Sequence, residues 1–160
     1  MPAVDCIDAV LGSPCDDLVD TMDRIVTLQQ LTGHPGLRKA AKVIERTRNI
    51  LKGTALTQRE VDPARLAEPP ERALWDVYER HKSRVAQLAE ERRYDQATTL
   101  FGDAFYEPLH TFFDQVLVNA PEASTQQNRL ALLHAIHTLY TGRIADLSKL
   151  TLLQHEESSP

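Results

Sequence analysis

Arg38, Lys42 and Arg46 recur at every fourth residue of the stretch LRKAAKVIERTRNILK, residues 37–52. That spacing lines side chains up along one side of an α-helix. Lys39 stands beside the stripe, and Arg48, Asn49 and Lys52 follow at its end. A row of cations suits a polyanion, because each phosphate neutralised releases bound counterions. Like charges four residues apart repel by about 0.3 kcal/mol per pair, a cost that interleaved glutamates would remove. The bland alternative is a solvated face whose last basic residues complement the helix dipole, or one paired to the acidic second helix of the chain.

The charge distribution sharpens that choice. The whole chain of 160 residues carries a net −5, which by itself gives no hint of a nucleic-acid partner. Residues 1–36 hold six acidic and one basic side chain, residues 37–52 hold one acidic and six basic, and the remainder is mildly acidic. All the excess positive charge therefore lies in one predicted helix.

Other reactive types form no constellation. His134 and His137 are three apart on one helix, a spacing able to hold a metal with Asp114 or His110 from a neighbour. No cysteine or H-E-x-x-H pattern joins them, so both are read as surface or boundary histidines and no metal is expected. The six glycines are scattered, and none follows a strand into a helix as a phosphate loop requires. Cys6 and Cys15, not in a C-x-x-C pair, are read as small, mostly buried thiols. No catalytic residue and no cofactor is expected within the chain.

The elements that must position the basic stripe are helical throughout. A short helix over about 4–11 is followed by GSPCDD, where Ser13 and the Asp16–Asp17 pair offer starts for a second. Leu18, Met22, Ile25 and Leu28 or Gln29 predict its buried face, and TGHPG at 32–36 ends it. A third helix is predicted over 37–52. Pro63, Pro69 and Pro70 mark a connecting loop over 53–70, with Pro70 suited to the first turn of the next helix. A fourth helix over 71–92 buries Leu74, Val77 or Tyr78, Val85 and Leu88; a reversal at Arg93 leads to a fifth over 94–118, and Pro121 separates a sixth. Phe101, Phe105, Phe112 and Phe113 are read as core, with Tyr106 and Tyr140 the better candidates for exposed rings. The expectation is one all-α domain, an antiparallel helical bundle of five to six helices, with a flexible tail over about 154–160. No basic leader or long apolar run appears, so the expected location is cytoplasmic, without membrane contact.

Four blocks in this order carry a family resemblance: RTRNILK (46–52), FFDQVLV (112–118), NRLALL (128–133) and ADLSKL (145–150). They resemble the C-terminal DALR-type anticodon-binding domain of the bacterial-type glycyl-tRNA synthetase beta subunit, and VDPARLAEPPERALW (61–75) is similar to the loop before its fourth helix. The resemblance implies a domain that holds the anticodon arm of glycine tRNA. Aminoacylation, with its ATP and glycine, then takes place elsewhere in a complex with the rest of the beta subunit and a catalytic alpha subunit. It also implies RNA-facing roles for the basic block, with Arg46 and Arg48 on phosphates and Asn49 on a base edge or a local backbone group. Arg129 and Arg143 bracket the last helix, about 21 Å apart at 1.5 Å per residue, too far to serve one nucleotide. Arg143 alternatively bonds the last helical carbonyls, with Asp146 and Ser148 turning the chain. Thr141, Gly142 and Gly53 depart from the family pattern. Family members are several times longer, implying either one domain of a larger protein or a free-standing relative. The rival reading is a helical assembly module that touches little RNA.

Overall fold

A computed structural model describes residues 4–150; the expected tail lies outside the described residues. Six α-helices follow in order: α1 Val4–Leu11, α2 Leu18–Leu31, α3 Pro35–Lys52, α4 Pro69–Glu90, α5 Tyr94–Gln115 and α6 Ala123–Thr141. Short 3₁₀ turns occupy Pro63–Arg65 and Leu147–Lys149. No strand occurs among the described residues, and no helix among them is long and apolar enough to cross a membrane.

The helix starts follow from local chemistry. Asp17 caps α2 by accepting from the Val19 and Asp20 amides. α3 begins two residues earlier than the periodicity predicts, because Pro35 suits its first position and the His34 ring nitrogen accepts from the Gly36 amide at 3.0 Å. Gly33, at φ +87°, supplies the reversal before it. α4 opens on Pro69 and Pro70 with a reciprocal capping box between Glu68 and Glu71. The α4–α5 reversal falls on Arg92, whose left-handed φ of 60° lets the Arg93 amide reach back to the Leu88 carbonyl. Arg92 is held there by Asp17, Asp20 and Asp23, 3.2 to 3.7 Å away. Much of the acidic charge of α2 is thus directed at this turn. α5 stops at Gln115, three residues short of expectation, with Val116 extended and buried.

α5 is the hub. It packs along α4 on one side and α3 on the other, while α3 also meets α6 and the Leu147–Lys149 turn. Because α4 reverses the chain between them, α3 and α5 run in the same direction, with residue pairs such as Lys39–Asp103 and Arg46–His110 both 64 apart in sequence. The two backbones come closest at Gly36 and Gly102: a Cβ on Gly102 would lie 2.5 Å from the Gly36 carbonyl oxygen and 2.8 Å from the Ala40 nitrogen. Only a glycine permits that approach.

Several expected placements are corrected. In α2 the inward face is Thr21, Arg24, Ile25 and Leu28, so Leu18 is 77% exposed and Met22 44%. Arg24 occupies the space they were assigned, its guanidinium reaching the Pro14 and Ile144 carbonyls at 2.7 and 2.9 Å and Asp20 at 3.3 Å. Tyr140 is fully buried, since its hydroxyl finds Thr98 at 2.8 Å and its ring packs on Phe101. Phe113 is only half-buried, and Cys15 is exposed while Cys6 is buried.

Candidate nucleic-acid interface

The outer face of the α3–α5 pair brings a cationic ridge against an aromatic one. α3 contributes Arg38, Lys42 and Arg46 in a row, with Lys39 alongside; α5 contributes Tyr106, His110 and Phe113, spaced at i, i+4 and i+7. The constant offset sets the register. Lys39 reaches Asp103 at 3.4 Å, and about two turns further Arg46 lies 3.0 Å from the His110 Nδ1 with its guanidinium carbon 4.9 Å from the Phe113 ring centre. Along the first two turns of α3, Pro35, Arg38, Lys39 and Lys42 line a cavity of about 210 Å³ with Tyr106 of α5. Phosphate-neutralising charge and flat π-surfaces therefore share one groove, the combination that single-stranded nucleic acid uses.

The charge is tempered but not cancelled. Lys39 pairs with Asp103, Lys42 with Glu45 at 3.4 Å, and His110 with Asp114 at 3.3 Å. Lys39 and Asp103 are both about half exposed, and such pairs contribute under about 1 kcal/mol, so a phosphate displaces the carboxylate at little cost. Arg46 is different in kind. Stacked on Phe113 and braced by His110, its guanidinium is pre-positioned, which reduces the rotamer entropy lost on binding an anion.

The structure divides the remaining sequence candidates. Arg48 and Lys52 are exposed on the flank of α3 turned away from Arg46, since at 3.6 residues per turn they point about 160° and about 120° from it. Arg48 lies on the side of His137, whose pKa its charge helps to lower. Asn49 is exposed between the flanks. Arg143 is exposed at the other side of the bundle, in a groove with Tyr78, Lys82 and Thr138, and donates to the Leu139 carbonyl at 3.2 Å. It thus closes the end of α6 as its position suggests, while Asp146 accepts from the Ser148 amide and hydroxyl to form the final turn.

Arg129 leaves the solvent-facing set. It is buried, ion-paired to Glu71 and donating to the Leu117 carbonyl. The other Glu71 oxygen accepts from the Glu68 amide, so one carboxylate both caps α4 and fastens α6 to it. Asn128 beside it is equally structural, accepting from the Asp62 amide at 2.7 Å and from the Gln58 side chain at 2.9 Å and donating to the Asp62 carbonyl at 3.1 Å. The NRLALL block is therefore a clasp for the loop over 53–68.

His134 and His137 are boundary residues as expected. Burial lowers the pKa of both, and His137 Nδ1 sits 2.8 Å from the Thr47 hydroxyl. Among the described residues no three His, Cys, Asp or Glu side chains gather as a metal site requires. What sequence reasoning missed is the ridge on α5: the sequence alone offers Tyr106 as a candidate exposed ring, His110 as a possible metal partner and Phe113 as core. Their helical spacing was legible, but the partner helix and its register were not.

Comparison with known proteins completes the picture. A family model described as the DALR anticodon binding domain matches residues 41–142. The chain is 32% identical over 143 residues to the glycine–tRNA ligase beta subunit of Desulforudis audaxviator, covering 89% of this chain and 20% of that protein. It is 34% identical over 148 residues to that of Geobacter metallireducens, covering 92% and 21%, and 32% identical over 149 residues to that of Myxococcus xanthus, covering 91% and 21%. The chain thus spans about a fifth of the length of these relatives. With its helical bundle, its matched residues and the order of its sequence blocks, the chain belongs to the DALR anticodon-binding domain family.

Proposed function

We propose that this domain holds the anticodon arm of glycine tRNA, serving a glycine–tRNA ligase beta subunit whose aminoacylation chemistry, with ATP and glycine, resides in other parts of the complex and its catalytic alpha subunit, in the cytoplasm. The observation that carries this reading is the α3–α5 groove, where the only strongly basic segment of an acidic chain faces Tyr106, His110 and Phe113. An anticodon loop presents both unstacked bases and a bent phosphate backbone, and the groove offers partners for each. The contacts of Arg38, Lys39, Lys42 and Arg46 are to phosphates and set position; sequence is read by groups that reach base edges. The experiment is a salt titration of the chain with glycine tRNA and with the same tRNA carrying a replaced anticodon. Affinity that falls with salt and falls again with the altered anticodon supports the reading; absence of binding at low salt removes it.

A second face favours a second role in the same complex. Leu18, Val19, Met22 and Val26 on α2, with Leu11 at the end of α1, are exposed apolar side chains. Relatives with a similar segment are about five times longer, so this face is suited to packing against the remainder of a beta subunit rather than against RNA.

A further inference from the structure

We infer that the cavity between the first two turns of α3 and the middle of α5 seats a single unstacked nucleotide of the bound RNA, its base laid on the Tyr106 ring and its phosphate held by Arg38 and Lys42. The inference rests on the proposed RNA-binding role and deepens it. In the constant register of the two helices, Tyr106 falls opposite Lys42, between the Lys39–Asp103 and Arg46–His110 contacts. It is half-buried, so the ring is fixed in place yet open on the cavity side. None of the five lining residues is acidic; Asp103 stands at the rim, where it holds Lys39. Three cations around one aromatic ring select a ligand with both a π-face and a negative charge, which is the chemistry of a nucleotide.

The close approach at Gly36 and Gly102 makes the site. Tyr106 lies one helical turn beyond Gly102, so the distance between the two backbones there sets the depth of the cavity beside it. At the other end Arg46 on Phe113 provides a second cation–aromatic step one to two turns along the same groove. A strand entering at Pro35 and leaving at Phe113 would follow the groove with its backbone over α3 and its bases over α5. Stacking is tolerant of base type, so Tyr106 contributes affinity rather than base identity.

The test uses this chain and an anticodon stem–loop of glycine tRNA carrying 2-aminopurine at one loop position at a time. At one position the fluorescence falls further on binding to the unaltered chain and to Tyr106→Phe, but not on binding to Tyr106→Leu, which keeps apolar bulk and loses the ring. Tyr106→Leu also weakens binding about tenfold with the salt slope unchanged, whereas Lys42→Gln lowers the slope by about one. If no position is quenched by the unaltered chain, or Tyr106→Leu binds within twofold of it while Lys42→Glu with Arg46→Glu still weakens binding, the pocket is wrong and the interface stands. If the unaltered chain shows no salt-dependent binding, the RNA reading fails and the pocket falls with it.

Discussion

The outer faces of α2 and α3 present opposite uses of the same side chains. α3 turns its arginines and lysines outward beside an aromatic ridge; α2 turns its one arginine inward and leaves Leu18, Met22 and Val26, at i, i+4 and i+8, in solvent. Each helix carries two candidate stripes, and each resolves the choice by what its neighbours need. The Arg24 position faces the carbonyls of Pro14, Arg143 and Ile144, left unpaired by helix ends and turns, and a guanidinium can satisfy several of them at once. The outer stripe of α3 instead makes side-chain contacts at the surface, Lys39 with Asp103, Lys42 with Glu45 and Arg46 with His110, which an external anion can exchange at little cost.

The largest test of that contrast is removal of the inward arginines. Arg129→Ala leaves the Glu71 carboxylate buried without its partner, and Arg24→Ala orphans three carbonyls; each is expected to cost about 3–5 kcal/mol in urea unfolding. A loss under about 1 kcal/mol would mean that these side chains are no more structural than those of α3. Next in size, Gly102→Ala drives a methyl group into the α3 backbone, with about 1–3 kcal/mol lost and the α3–α5 groove spread. Retained stability with unchanged RNA affinity would show that the close approach does not shape the groove.

The pH dependence separates buried from open groups. Burial lowers the His137 pKa, so the unfolded chain takes up a proton more readily; stability is full above the ordinary histidine pKa of about 6.5 and falls as the pH drops below it. Burial raises the Tyr140 pKa, so stability declines as the pH rises past about 10, where the unfolded tyrosine ionises. Thermal melts across pH 5–11 check both limbs, and Tyr140→Phe reduces the alkaline one without abolishing it, because burial and the Asp20 contact also raise the Tyr94 pKa. The smallest effect belongs to the outer face of α2: Leu18→Ser and Met22→Ser are each expected within about 0.5 kcal/mol of the parent, because their exposed side chains support nothing in the isolated domain.

Much of the bundle was legible because its determinants are local. Pro70 in the first turn of α4, the turn before α3 and the Arg143–Asp146–Ser148 closure all follow from residues within a few positions of one another. The misassignments share a different cause. Leu18 and Met22 obey helical periodicity as well as Arg24 does, and only the tertiary position of the Ile144 carbonyl decides which stripe is inside. Tyr140 has a hydroxyl that argues for the surface until Thr98 answers it from another helix. Arg129 sits in a family block that invites an RNA role, yet its partner Glu71 is 58 residues away. The candidate site was half readable for the same reason: the cationic stripe lies within one helix, while its facing rings depend on a register between two.

The most direct measurement of the central claim is the salt dependence of glycine tRNA binding by the parent chain, by Lys42→Glu with Arg46→Glu, and by Arg48→Glu with Lys52→Glu. All four positions lie on α3, and the two pairs differ in the flank they occupy. If the groove is the RNA face, the first pair weakens binding at least tenfold and lowers the salt slope by about two, at roughly 0.7–0.9 per phosphate contact, while the second pair has a clearly smaller effect. Equal losses from both pairs, or a larger loss from Arg48 and Lys52, would contradict the groove and move the RNA to the α6 side of the helix.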